Sequence, residues 1–280
     1  MINTLSFNQR VRETIDRNNS LVCVGLDTDP ARLPHHLDRS EKGILEFNRS
    51  IIEATSDLAL AYKPNLAFYE ALGSSGWDVL KKTLEMIPDS VITIGDAKRG
   101  DIGNTAQKYA VALYDLGFDA VTINAYMGRD SVAPFIDDPS KGVFVLCLTS
   151  NPGSKDFQYL EIENRPLYLH VAEAVQLWNE KDNCGLVVGA THPEELAHVR
   201  SIVPDAPILI PGIGAQGGDL KNAILSGTDE QGSMALINSS RGILYASPEK
   251  DFADRAREET LKLRDAINQF RHQKSNRKEV

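Results

Sequence analysis

Asp96, Lys98 and Asp101 fall within six positions of one another. The apolar run Val91-Ile92-Thr93-Ile94-Gly95 comes just before them and reads as a buried strand. Burying that much charge costs free energy unless the groups pair with each other or with a ligand. A strand ending in such a cluster is therefore a candidate active site, suited to stabilising charge on a bound molecule or to moving a proton. Side chains alternate along a strand, so Ile92, Ile94, Asp96 and Lys98 are expected on one face, apolar at its start and charged at its end. The plainer alternative is an Asp–Lys pair that only ties off the end of the strand.

Something must hold that strand end among others. Apolar runs recur at Leu21–Leu26, Leu58–Tyr62, Val91–Gly95, Ala120–Ile123, Val143–Leu148, Leu186–Val188, Ile208–Ile210 and Met234–Ile237. Most are rich in Val, Ile and Leu without strict alternation, as strands covered on both faces should be. Eight such runs in 280 residues fit a (β/α)8 TIM barrel, typically about 250 residues long. An open doubly wound sheet is the alternative, but no GxGxxG follows the first run. The expected organisation is a single barrel domain over residues 1–271, with a polar tail over 272–280.

Between the runs lie helical patterns. Ala106, Tyr109, Ala110, Leu113 and Leu116 form one stripe, with Asn104 and Gln107 placed to cap its start and Gly117 to end it. Residues 166–180, 193–202 and 249–271 also read as helices. Polar residues gather just past the strands: Asp27, Lys63, Asp96 and Lys98, Asn124, Thr149 and Ser150, Gly212, then Ser240 and Arg241. In a barrel these positions share one rim, where active sites lie. Glycines at 212, 214, 217 and 218 allow backbone N–H groups to approach an anion, and Arg241 adds a bidentate fork.

Composition narrows the function classes. Hydrophobic residues make up 42% and charged residues 25%, and the formal net charge is -9. This argues against a nucleic-acid binder or an anionic-membrane binder, both of which need a basic face. Cys23, Cys147 and Cys184 show no CxxC spacing and read as buried reduced thiols. The six histidines have no zinc-ligand spacing. No run approaches the ~20 apolar residues of a membrane span, and Met1 to Arg10 lacks an apolar signal core. A cytoplasmic location is the expectation. Asp137-Asp138 reads as a solvated loop pair, and Arg99-Gly100-Asp101 as a chance match to an adhesion tripeptide.

The segment from Asp96 to Ala106, DAKRGDIGNTA, resembles the signature of the orotidine 5'-phosphate decarboxylase family, in its second, longer bacterial subfamily. Gly25-Leu26-Asp27 is similar to that family's first-strand motif, and Tyr62-Lys63-Pro64-Asn65 with Ala67-Phe68-Tyr69-Glu70 to its second. Thr149-Ser150-Asn151-Pro152-Gly153 resembles its pyrimidine loop. The segments 211–218 and 238–243 resemble its phosphate site. The resemblance spans roughly residues 20–245.

The resemblance implies cofactor-independent decarboxylation of orotidine 5'-phosphate to UMP, in de novo pyrimidine synthesis. It implies that Asp27 and Lys63 hold the ribose hydroxyls, and that Lys63, Asp96, Lys98 and Asp101 form an alternating charge network. Lys98 would be the proton donor, and Ser150 would contact the pyrimidine. Gln216, Arg241 and backbone amides near Gly212 and Gly242 would bind phosphate. A homodimer is implied, in which Asp101, Ile102 and Thr105 complete the other subunit's site. No cofactor and no metal are implied.

Two rivals remain at this level. Sugar-phosphate decarboxylases and aldolases of the same superfamily share the Asp-x-Lys-x-x-Asp pattern but use Mg2+, held by an acid at the end of the second strand. This chain has Lys63 there, and a lysine repels Mg2+. A non-catalytic phosphate-binding module would not need the Lys63, Asp96, Lys98 and Asp101 array.

Overall fold

A computed structural model of the chain describes residues 5–213 and 219–276. Eight parallel strands close into a barrel. They are β1 (Val22–Gly25), β2 (Ala61–Lys63), β3 (Ile92–Arg99), β4 (Ala120–Ile123), β5 (Gly142–Leu148), β6 (Cys184–Val188), β7 (Ile208–Pro211) and β8 (Ala235–Ser239). Each pairs with its sequence neighbour, and β1 closes the ring on β8 through Val22 opposite Ile237 and Cys23 opposite Asn238. All eight apolar runs of the sequence are strands.

The missing alternation has the expected cause. Every residue of β1, β2, β4 and β6 is buried, because side chains on one face fill the barrel and those on the other meet the helices. The three thiols lie in this interior, free and buried. Burial pushes each of them up to about 12, so none is a ready nucleophile at neutral pH.

The amino-terminal end of the barrel is plugged. Helix Phe7–Asn18 starts with a reciprocal capping box between Ser6 and Gln9. Phe7 lies edge-on to Phe144, with ring centroids 6.0 Å apart. A Cβ on Gly142 would stand 2.2 Å from the Phe7 ring, so only glycine lets the plug seat. With that end closed, the opposite rim is the open mouth.

Several expected boundaries shift. Helix Gly103–Asp115 has Ile102, not Asn104, at its N-cap, without a side-chain cap bond. The chain enters that helix through Gly103 at φ +54, which bypasses the Asn104 cap. Gly117, at φ +116, ends the helix as expected, and Phe118 N–H donates to Leu113 O behind it. The helix at 166–180 runs Leu167–Trp178, and Pro193–Ile202 matches its expected span. The final helix covers Phe252–Asn276 rather than stopping at 271. Lys274 Nζ donates 2.7 Å to Thr228 O, which ties down the start of what reads as a polar tail. A small antiparallel ribbon pairs Glu161–Ile162 with Arg165–Pro166 across Glu163 and Asn164, both at positive φ.

Candidate active site

The rim cluster is built on an irregularity in β3. Gly95 pairs with Val121 and Arg99 with Ile123, so four steps along β3 answer two along β4. This bulge carries Asp96, Ala97 and Lys98, and Lys98 sits at φ +48. Regular alternation therefore fails from Asp96 onward. The expectation that Asp96 and Lys98 converge still holds, but a bulge brings them together rather than a regular strand face.

Asp96 is the hub. Its Oδ2 accepts 2.8 Å from Lys63 Nζ, and its Oδ1 accepts 2.6 Å from Lys98 Nζ and 2.9 Å from Thr122 Oγ1. Lys63 comes from the end of β2 and is only 4% exposed. Its Nζ also lies 4.0 Å from Asp27 Oδ1, at the end of β1. Burial pulls the Lys63 ammonium down, but Asp96 and Asp27 outweigh it and hold it above the usual lysine range. Burial likewise pushes the Asp96 carboxyl up, and Lys63 and Lys98 together hold it well below the usual carboxylate range. Both groups are thus charged at neutral pH. The fourth member, Lys98, is half exposed and meets Asp96 with its amine.

A cavity of about 850 Å³ opens over Asp27, Lys63 and Asp96, and Lys98 is not among its lining residues. Asp27, Lys63 and Asp96 form its floor on one side, and Gly212, Arg241 and Gly242 line the other. Gly212 stands at φ +99, a conformation that favours glycine. The Arg241 guanidinium has no carboxylate partner among the described residues. Asp27 Oδ1 is buried without a hydrogen-bond partner, a costly state that a ligand donor would relieve.

Other expected site residues lie apart from this cavity. Asp101 accepts 2.8 Å from Ile102 N–H and makes no ion pair with Lys63 or Lys98 among the described residues. Within one chain the charge array is therefore Asp27, Lys63, Asp96 and Lys98. Ile102 and Thr105 face outward on the rim, Ile102 at 55% exposed. Ser150 follows β5 and packs where Gly189 has no side chain. Gln216, with Gly214, Gly217 and Gly218, falls outside the described residues.

The sequence reading passed over Thr122, which donates to Asp96 and accepts from the Lys98 N–H at 2.9 Å. Its signal was a polar residue in an otherwise apolar strand, two before Asn124. Tyr245 was also passed over, and Asn238 was read only as part of the segment 238–243. Asn238 lines the cavity and accepts from Cys23 Sγ at 3.6 Å. Tyr245 accepts from Asp29 N–H at 2.8 Å and holds the loop after β1.

Residues 20–256 match the profile of the orotidine 5'-phosphate decarboxylase / HUMPS family. Orotidine 5'-phosphate decarboxylase of Dehalococcoides mccartyi strain CBDB1 is 53% identical over 272 residues, covering 95% of this chain and 99% of its own. The Cupriavidus metallidurans enzyme of the same name is 48% identical over 273 residues, covering 96% and 100%. Among solved structures, Leishmania donovani OMP decarboxylase shares 41% identity with a TM-score of 0.80, over 93% of this chain and 99% of that one. Leishmania donovani UMP synthase shares 42% identity with a TM-score of 0.87, over 96% of this chain but only 57% of the synthase. No helix among the described residues is long and apolar enough to cross a membrane. The rim array, the barrel that carries it and these matches agree: the chain belongs to the orotidine 5'-phosphate decarboxylase / HUMPS family.

Proposed function

We propose that this chain converts orotidine 5'-phosphate to UMP and CO2, a step of pyrimidine synthesis, with Lys98 as the proton donor. Loss of CO2 from C6 leaves a vinyl-type carbanion that the pyrimidine ring delocalises poorly. A fixed ammonium beside C6 stabilises that charge as it forms, and its proton then quenches it. Lys98 fits both tasks, because its half-exposed side chain is anchored by its amine to Asp96, a residue that lines the cavity. Asp96 holds both lysines and stands where the leaving carboxylate would approach. The observation that carries this reading is the alternating array whose hub, Asp96, lines the cavity and stands between two ammonium groups.

The remaining contacts suit a nucleotide. The unpartnered Asp27 Oδ1 would accept from a ribose hydroxyl, with Lys63 beside it. Arg241 and the backbone at Gly212 and Gly242 would take the phosphate, the usual anion site of this barrel after its last two strands. Ser150 and Gln216 would contact the pyrimidine and phosphate from their loops. Phosphate binding far from the breaking bond can position the ring and hold loops closed.

The Mg2+-dependent branch of the family is disfavoured by Lys63, a buried cation where that branch holds its metal with an acid. The acting form would be a homodimer in the cytoplasm. Ile102 and Thr105 are exposed, as is Tyr109 on the same helix as Thr105, a face for a second copy to cover while bringing Asp101 toward Lys98.

The test is turnover of orotidine 5'-phosphate, followed by loss of substrate absorbance, with and without excess EDTA. The expected result is an EDTA-insensitive rate that Lys98→Ala lowers by at least ~10³-fold while UMP affinity is kept. An EDTA-sensitive rate would favour the sugar-phosphate branch. Equal loss of turnover and UMP binding in the variant would give Lys98 a structural role instead.

A further inference from the structure

Lys98 occupies the left-handed region at φ +48, which costs free energy for any residue with a β-carbon and persists only where neighbours over-determine it. Two fasteners join backbone to backbone, Asp96 N–H to Pro64 O at 3.0 Å and Asn124 N–H to Arg99 O at 2.7 Å, and in a third the Lys98 N–H donates to the Thr122 hydroxyl at 2.9 Å. The fourth is a side chain. Arg99 Nη1 donates 3.1 Å to Ala97 O, the carbonyl of the peptide that leads into Lys98. The other arm of the same guanidinium donates to Glu70. The guanidinium also lies 5.5 Å from the centre of the Tyr109 ring.

Glu70 ends the short helix Leu66–Glu70, which follows Lys63 and caps itself through Asn65. The Arg99 fork therefore joins the peptide that aims Lys98 to the element that follows Lys63. A planar guanidinium can serve two acceptors at a fixed angle, whereas an ammonium cannot reproduce that fork. We propose that Arg99 and Glu70 are positioning residues that clamp the Ala97–Lys98 peptide in its left-handed turn, so that the Lys98 amine meets Asp96. This rests on Lys98 being the reacting amine. It also gives a physical role to Arg99, the first residue of an Arg-Gly-Asp tripeptide that otherwise reads as chance.

The test compares Arg99→Ala, Arg99→Lys, Glu70→Ala and the Arg99→Ala/Glu70→Ala double variant in the full chain. Small misplacement of a reacting group costs up to about 10²-fold, so Arg99→Ala is expected to lower kcat by roughly 10- to 100-fold. KM and UMP affinity should stay within about twofold of the unaltered protein. The double variant should be no worse than Arg99→Ala, because one clamp is lost only once. Arg99→Lys, which keeps charge and folding, should also fall in kcat. Unchanged kcat in Arg99→Ala and Arg99→Lys overturns the clamp, as does a loss in which KM, kcat and melting temperature move together. A crystal structure of Arg99→Ala decides the matter without turnover: Lys98 should leave its positive φ, and retention of it overturns the proposal. If the unaltered protein fails to turn over orotidine 5'-phosphate while the Arg99→Ala structure shows Lys98 released, the functional reading falls and the clamp stands.

Discussion

The two sides of the cavity are built on opposite plans. Where β1, β2 and β3 end, Lys63, Asp96 and Lys98 satisfy one another, with Asp27 Oδ1 left for a ligand donor, and the hub carboxylate accepts three hydrogen bonds before any ligand arrives. Where β7 and β8 end, glycines and Arg241 line the wall, and that guanidinium has no carboxylate partner among the described residues. The first side is preorganised, because it must present charge in one geometry while the reaction proceeds. The second is left wanting an anion, so binding energy is released only when a ligand's phosphate arrives. Stability should thus depend on the first side and affinity on the second.

Lys63→Met should break the contrast most severely. Removing Lys63 takes from Asp96 one of its two cations and from Asp27 its ion-pair partner, at a cost of up to about 3–5 kcal/mol. Urea unfolding should show that loss together with near-abolished turnover. A change below about 1 kcal/mol would mean that the array is not held as tightly as its distances imply. Arg241→Ala should do the reverse. Unfolding should stay within about 0.5 kcal/mol of the unaltered protein, while KM rises by roughly 10- to 100-fold, the worth of a charge-assisted hydrogen bond. Unchanged KM with lowered stability would erase the distinction between the two sides.

The preorganised side was also the more legible in the sequence. Asp96, Lys98 and Lys63 stand out because charge at the end of an apolar run has few innocent explanations, and all eight strands could be read from runs of Val, Ile and Leu. The geometry that joins those residues was not legible. Alternation alone puts Asp96 and Lys98 on one face, yet a bulge against β4 does the work, and a bulge is a property of two strands in register. The Arg99–Glu70 contact links residues 29 apart in sequence, and no local pattern marks it. Asn104 looked like a helix cap because its residue type and its spacing to Gln107 fit. The left-handed entry at Gly103 displaced it, and a glycine's backbone conformation is not written in its neighbours. Thr122 needed only a closer look, since a hydroxyl inside the apolar strand Ala120–Ile123 asks for a partner.

The smallest expected effect sharpens the comparison through pH. Asp96 has a depressed folded-state pKa, caused by Lys63 and Lys98 overcoming burial. Its contribution to stability is present above the unfolded value, about 3.9, and is lost as pH falls through the folded one. Lys63 is raised in the fold by Asp96 and Asp27. Its contribution is present below the unfolded value, about 10.4, and is lost as pH rises through the folded one. Between roughly pH 5 and 9 neither group changes its proton, so the stability gap between the unaltered protein and Lys63→Met should stay flat there. Below about pH 4 the gap should narrow, because Asp96 in the variant has lost one of its two cations and keeps less of its depression. Urea titrations at a series of pH values measure this directly. A gap that stays flat as pH falls from about 5 to about 2 would mean that Lys63 does not depress the hub carboxyl, and would remove the basis for calling this side of the cavity preorganised.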